Sequence, residues 1–398
     1  MRWLAFGTYD VQRHPRVGVL IEGLRSAGDE VLEINVPLAL STADRVAMLR
    51  QPWRLPKLAW LLARCWVLLA LRSRRAPAAD AVLVGYLGHF DVRLARLLFR
   101  RTPLVLDHLV SAAGTARDRD LTGGGGVKAA LMRWIDRRAL RAADVVVVDT
   151  DEHLAALPPS SVGVVAPVGA GRSWFAVRPA RPDGPLRVVF VGIYTPLHGT
   201  GCVGEALARL AGDPRIEVTM VGTGQEYAAC RAAAAANTSV TWVDWVPGAD
   251  LPALVAAHDV ALGIFGTTEK AQNVVPTKVY QGAAAGCAIV TSDTAPQRRT
   301  LGDDALFVAP GDAAALAETL RSLAADRTLL ATYQRRAAAR AANNFTAQTV
   351  VEPIRARIAT PTQSQAELPP VDPSDGGAGS TAVRTSARGV AGRLPRSG

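Results

Sequence analysis

LRVVFVGIYTPLHGTGCVGEALARLA, Leu186 to Ala211, reads as a strand, a glycine-bearing turn and an amphipathic helix in direct succession. The same alternation runs outward in both directions. Upstream, WLAFGTY, EVLEINV, AVLVGYL, PLVLDHLV and VVVVDTD are strand candidates, and downstream so are IEVTMVGTG, VTWVDWV, VALGIFG, CAIVTSD and ALFVAP. Strands separated by helical patterns predict a parallel sheet, so the fold class is α/β. The Pro- and Arg-rich stretch VRPARPDGP, 177–185, divides the series into two Rossmann-like doubly wound domains of similar size facing a cleft.

The expected organisation is an N-terminal domain over 1–176, the linker, a C-terminal domain over 186–345, a helix at 346–358 and a tail at 359–398. The tail is short of large apolar residues and rich in Pro, Gly and Ser, the composition of disorder. The rest can build real cores: 398 residues, 49% hydrophobic and 20% charged. Four cysteines without CxxC spacing imply neither zinc nor a disulfide framework. No cleavable signal is visible, and LAWLLARCWVLLAL (58–71), interrupted by Arg64, falls short of the ~20 apolar residues a spanning helix needs. A cytoplasmic location is expected.

The net charge of +10 is concentrated, with eight basic residues and no acid between Arg45 and Arg75. Such a block suits an anionic surface better than a nucleic-acid groove, and no nucleic-acid partner is expected. At 100° per residue Lys57, Arg64, Arg72 and Arg75 fall within a ~80° arc, with Trp60 and Trp66 suited to a membrane interface. Two readings stand: peripheral docking on the inner face of the cytoplasmic membrane, or an ordinary helix with a solvated basic face.

Only four of the 45 basic residues are lysine, and two of these, Lys270 and Lys278, lie in GIFGTTEKAQNVVPTKVYQGAAAGCAIVTSD, Gly263 to Asp293. Pro276 suits the first position of a helix, which puts Thr277 and Lys278 in its first turn and Gln281 on the face of Lys278. A lysine there opposes the helix dipole unless an anion sits beside it. Lys270 and Lys278 are therefore read as phosphate ligands and Gln281 as a hydrogen-bonding partner for a ribose. The turns Gly192–Tyr194, His198–Gly201 and Gly222–Gly224 offer small residues at strand ends and a helix mouth, where anions bind. Asp107 and His108 end a strand and could orient an acceptor hydroxyl or take its proton; a packed loop histidine is the plain alternative for His108. Of two DxD triplets, Asp118/Asp120 lies in a polar loop. Asp149/Asp151 is favoured as a strand end with Asp151 capping a helix over a metal-binding pair.

These blocks, VFVGIYTPLHGTG, VGTGQE, GIFGTTEKA, VVPTKVYQGAAAGCAIVTSDTAPQRRTL and ALFVAPGDAAALAETL, resemble the C-terminal domain of GT-B fold glycosyltransferases, the group 1 set classed as family 4. The N-terminal match, GTYDVQRHPRVGVLIEGLRSAGDEV and LVLDHLVSAAGT, is looser. The resemblance implies a nucleotide-diphosphate-sugar donor on the C-terminal domain, and an acceptor glycan, lipid or small molecule on the N-terminal one near Gly7, Thr8, Tyr9 and Asp10. It also implies a last helix crossing back to the first domain and hexosyl transfer with retention, without cofactor or metal. The family's usual Arg and Lys on the diphosphate are replaced by Ile193 and His198, and its glutamate pair by Asn273 and Gln281. Lys270, Lys278 and His198 are expected to substitute. The alternatives are a non-catalytic membrane-associated binding protein of the same fold, or another sugar-nucleotide enzyme such as an epimerase.

Overall fold

The computed structural model describes residues 1–11, 14–38, 53, 55–85, 88–109, 111, 114, 126–177 and 184–360. Arg45, Arg50, Arg54, Asp118, Asp120, linker positions 178–183 and positions 361–398 lie outside the described residues. The first sheet contains β1 (Arg2–Gly7), β2 (Glu30–Asn35), β3 (Ala81–Val84), β4 (Leu104–Asp107), β5 (Val145–Val148) and β6 (Gly163–Val165), in the order β2-β1-β3-β4-β5-β6. The second contains β7 (Leu186–Val191), β8 (Ile216–Val221), β9 (Val240–Val243), β10 (Val260–Leu262), β11 (Ala288–Ser292) and β12 (Leu306–Val308), in the order β12-β11-β10-β7-β8-β9. Every paired neighbour is parallel.

Parallel strands covered on both faces must be apolar on both, and AVLV of β3 and VVVV of β5 are buried at every position. The pleat sorts the side chains: Leu4 and Phe6 of β1 enter one core, Trp3 and Ala5 the opposite one. In β7, Val188 and Phe190 pack on one face and Val189 on the other. Fully burying each such large apolar side chain contributes about 1.5–3 kcal/mol. Strand β6 is absent from the strands read in the sequence, because three residues between Ser and Pro carry too little periodicity.

The helix Ala347–Ala359 packs on the first domain: Val350, Val351 and Ile354 join the core that holds Trp3, Val17 and Leu24. Close approach requires Gly23, since a Cβ there would stand 2.0 Å from the Ala347 carbonyl oxygen. Arg355 Nε then reaches Asp29 at 2.7 Å, and Asp29 also accepts from the N-terminal amine at 3.0 Å and Trp3 Nε1 at 3.1 Å. The domains also meet where Thr150 Oγ1 donates to the Asn273 carbonyl (2.9 Å) and Arg299 pairs with Asp151 (2.7 Å) and Glu152 (2.5 Å).

Candidate functional site

In the second sheet the chain reverses its strand order between β7 and β10, and the crevice beyond the strand ends at such a switch point is where ligands bind in doubly wound sheets. Three turns and one helix converge there. Gly222 (φ +111) lies so close to the first turn that a Cβ would stand 2.0 Å from the Gly192 oxygen. Hydrogen bonds lock the pair: Gly192 N to Val221 O (3.0 Å), Tyr194 N to Thr223 O (3.2 Å) and Glu226 N to Tyr194 O (2.9 Å). Gly224 packs against the same backbone, where a Cβ would stand 2.7 Å from Tyr194 N. Gly199, left-handed at φ +61, heads the helix Thr200–Arg209 and touches the Phe265 backbone, while Phe265 N donates to His198 O (3.0 Å). Thr200 Oγ1 donates to Glu226 Oε2 at 3.0 Å.

Lys278, in the first turn of the helix Thr277–Ala284, points into this cluster. Its Nζ is buried with no hydrogen-bond partner, 3.6 Å from the centre of the Phe190 ring. A Cβ on Gly192 would stand 2.9 Å from that Nζ and 3.4 Å from His198 Cε1. The residue as a whole is half-buried, so the stem is partly open while the ammonium head faces inward. Desolvation holds its pKa well below the usual 10.5. The His198 ring lies edge-on to Phe190, 5.9 Å between centroids, and its Nδ1 contacts the Ile193 carbonyl. Neither helix mouth carries a side-chain cap, so backbone amides and an ammonium are gathered there, with the Glu226 carboxylate held by Thr200 at the edge of the cluster.

Other expected donor residues are placed differently. Lys270 is half-buried on the single turn Glu269–Gln272, which packs against the 3-10 turn Pro196–His198. Asn273 ends that turn and contributes its carbonyl to Thr150. Pro276 precedes the helix as its cap instead of opening it, because its ψ of 146° is extended. Tyr194 faces the core, with its ring 5.5 Å from Phe190 and 5.1 Å from Tyr227, so only its backbone serves the turn. Gln281 and Lys278 border a void of about 10 Å³ with Trp174 and Val191, room for about one water. A ribose at Gln281 therefore requires that wall to open.

On the N-terminal domain, Asp107 does not face a cleft. It is 2% exposed and bonds Arg16 Nε at 2.7 Å, while Arg16 donates to the Pro167 and Ala166 carbonyls at 2.9 and 3.0 Å. His108 is buried and lines a cavity of 270 Å³ with Asp136 and His153. Thr8 N and Oγ1 donate to Asp91 Oδ2 (2.7 and 2.8 Å) beside Gly7, Asp10 is half-buried, and Tyr9 is a core residue whose hydroxyl bonds Glu33. Burial and Glu33 push the Tyr9 pKa far upward. Thr150, not Asp151, caps the helix Asp151–Ala155 by accepting from His153 N (3.2 Å); Asp151 is held by Arg299 and Asp149 by His153 (2.6 Å).

The basic helix spans Leu55–Ser73, so Arg75 lies past its end. Lys57, Trp60, Arg64, Arg72 and Arg75 are exposed, but Trp66 is half-buried with its Nε1 donating to Asp91 Oδ1 at 3.0 Å. Val67 and Leu71, unremarked in the sequence, complete an outward stripe with Lys57, Trp60 and Arg64 at spacings of three and four. Among the described residues no helix is long and apolar enough to cross a membrane.

Two six-stranded parallel sheets with an anion-receptive crevice at the switch point of the second define a protein of GT-B fold. Residues 185–326 match the family model for glycosyl transferases group 1. Solved structures agree on the fold. Sucrose-phosphate synthase from Thermosynechococcus elongatus superposes with a TM-score of 0.68 at 14% identity, covering 90% of this chain and 98% of that one. HepE of Anabaena in complex with UDP-glucose gives 0.63 at 14% identity, over 90% and 99%. A glycosyltransferase from Rickettsia africae gives 0.58 at 12%, over 90% and 97%. Curated protein sequences contain no significant match.

Proposed function

We propose that the chain transfers a hexosyl group, with retention, from a nucleotide-diphosphate sugar held at the β7–β10 crevice to an acceptor on the N-terminal domain. One observation carries the donor assignment: the Lys278 ammonium is buried without a partner between Phe190, Gly192 and His198. A buried unpaired donor is costly, and an anion at that point would satisfy it. The diphosphate of the donor is such an anion, met also by the amides of the uncapped helix mouths. As the bond between the sugar's anomeric carbon and the β-phosphate oxygen breaks, negative charge grows on the diphosphate, and Lys278 and the helix mouths are already oriented towards it. The acceptor oxygen bonds to the anomeric carbon and its proton passes to the departing diphosphate. This chemistry asks for no metal at the diphosphate. HepE was solved with UDP-glucose, which makes that the first donor to try.

The test is calorimetry of UDP, GDP, ADP, dTDP and their sugars in the presence of EDTA, with the wild type and Lys278→Ala. One nucleotide that binds the wild type and is lost in the variant supports the reading. No binding, or binding that requires a divalent ion and ignores Lys278, refutes it and favours a non-catalytic protein of the same fold.

The stripe Lys57, Trp60, Arg64, Val67, Leu71 supports a second element: docking on anionic lipid, which would bring a membrane-proximal or lipid-linked acceptor to the cleft. Each basic residue near such a surface adds ~1 kcal/mol. Failure to float with anionic vesicles at low salt ends that element and leaves the donor site untouched.

A further inference from the structure

Two of the chain's six histidines and one aspartate gather in the N-terminal domain, away from the β7–β10 crevice. His89 lies in the turn before the helix Asp91–Leu98, His108 directly follows β4, and Asp136 projects from the helix Gly126–Leu140. All three side chains are buried, and one donor atom from each lies within 4.8 Å of the others. We propose that His89, His108 and Asp136 bind a divalent transition metal, zinc by their ligand chemistry.

The hydrogen bonding of the cluster supports this. His89 Nε2 stands 3.1 Å from Asp136 Oδ1 without the alignment of a hydrogen bond, and His108 Nδ1 is buried with no partner. The two imidazole rings meet edge to face with centroids 5.3 Å apart. Buried polar atoms left unpaired cost ~1–3 kcal/mol each, and one cation would satisfy His89 Nε2 and His108 Nδ1 together. Ser111 Oγ donates to Asp136 Oδ2 at 2.8 Å, which orients the other carboxylate oxygen toward the rings, as metal-bound carboxylates are commonly oriented.

The ligand set selects the ion. Two imidazoles and one carboxylate suit zinc, whereas calcium and magnesium favour oxygen throughout. Metal–ligand bonds near 2.0–2.1 Å place tetrahedral ligands about 3.3 Å apart. The His89–Asp136 edge already has that length, and the other edges contract by about 1.5 Å at most through side-chain rotation. His108 and Asp136 also line the 270 Å³ cavity, so a fourth position can be taken by water or by a group entering from it. The site is independent of the donor reading, because Lys278 belongs to the other domain.

The test uses the full tag-free chain, stripped with EDTA and dialysed. Cobalt(II) titration should give the visible absorption of a four-coordinate ion, saturating near one equivalent, and zinc should displace it. His89→Gln and Asp136→Asn should each weaken uptake at least about tenfold, and Ser111→Ala by about tenfold. Circular dichroism checks that the variants fold. Uptake below about a tenth of an equivalent by the wild type overturns the proposal even if a variant fails to fold, and so does uptake unchanged in the double variant His89→Gln/Asp136→Asn.

Discussion

Replacing Lys278 by Met should move stability and donor binding in opposite directions. Methionine keeps the unbranched stem but removes the ammonium, whose burial is uncompensated when no anion is bound. Relief of an unsatisfied buried donor is worth ~1–3 kcal/mol. Loss of the cation–π contact with Phe190, 3.6 Å away, offsets up to ~2 kcal/mol of that. The net expectation is a gain of about 1 kcal/mol, or roughly 2–4 °C in Tm for a domain of this size. Binding of the nucleotide diphosphate loses a charge-assisted contact worth ~1.5–3 kcal/mol, roughly a 10- to 100-fold rise in Kd. Scanning calorimetry gives the first quantity and titration calorimetry the second, each with and without nucleotide. A Lys278→Met protein that melts lower yet binds nucleotide like the wild type would refute the reasoning, since it would show the lysine to be a packing residue.

The remaining expectations concern the same atoms and their surroundings. Because the folded-state pKa of Lys278 lies below 10.5, the unfolded chain binds the extra proton in between, so stability should rise with pH up to about 10.5. The slope is at most ~1.4 kcal/mol per pH unit, and urea titrations from pH 8 to 10 should find it flattened in Lys278→Met. Asp107→Asn leaves Arg16 buried without its counterion and should cost ~3–5 kcal/mol in urea unfolding, with nucleotide affinity of the folded fraction unchanged. Gly222→Ala places a Cβ 2.0 Å from the Gly192 oxygen at a positive φ; it should weaken nucleotide binding at least about tenfold and lower Tm, and full affinity would show that the turn does not shape the site.

The fold was legible because parallel strands buried on both faces must be written as apolar runs, as in β3, β5 and β11, and eleven of the twelve strands among the described residues fall on segments read as strands. β6 escaped because it is three residues long. The turns of the β7–β10 crevice were legible for a related reason: a strand that passes through glycine into a helix leaves little else for the turn to be. What stayed hidden is pairing across long separations. Nothing local marks that Arg16 meets Asp107, or that Phe190 lies under Lys278. The spacing of His89, His108 and Asp136 follows no ligand motif, since the sheet order brings them together. The pattern of the basic helix suits both tryptophans to an outward position, but Asp91, on another helix, fixes Trp66 inward and leaves Trp60 outside.

The scarcity of lysine acquires a physical meaning from two buried cationic groups. Arg16 spreads three bonds over Asp107 and two carbonyls, which the forked guanidinium can satisfy and an ammonium cannot. Lys278 occupies the opposite environment, with an aromatic face on one side, Gly192 on another and a void of about 10 Å³. A guanidinium is wider than that space and would need several acceptors that the pocket does not offer. Lys278→Arg should therefore not rescue donor binding although it keeps the charge; it should displace the Gly192 turn and lower both affinity and Tm. Wild-type affinity in Lys278→Arg would mean that the cation acts from outside the pocket, and the compact point charge would lose its role in the argument.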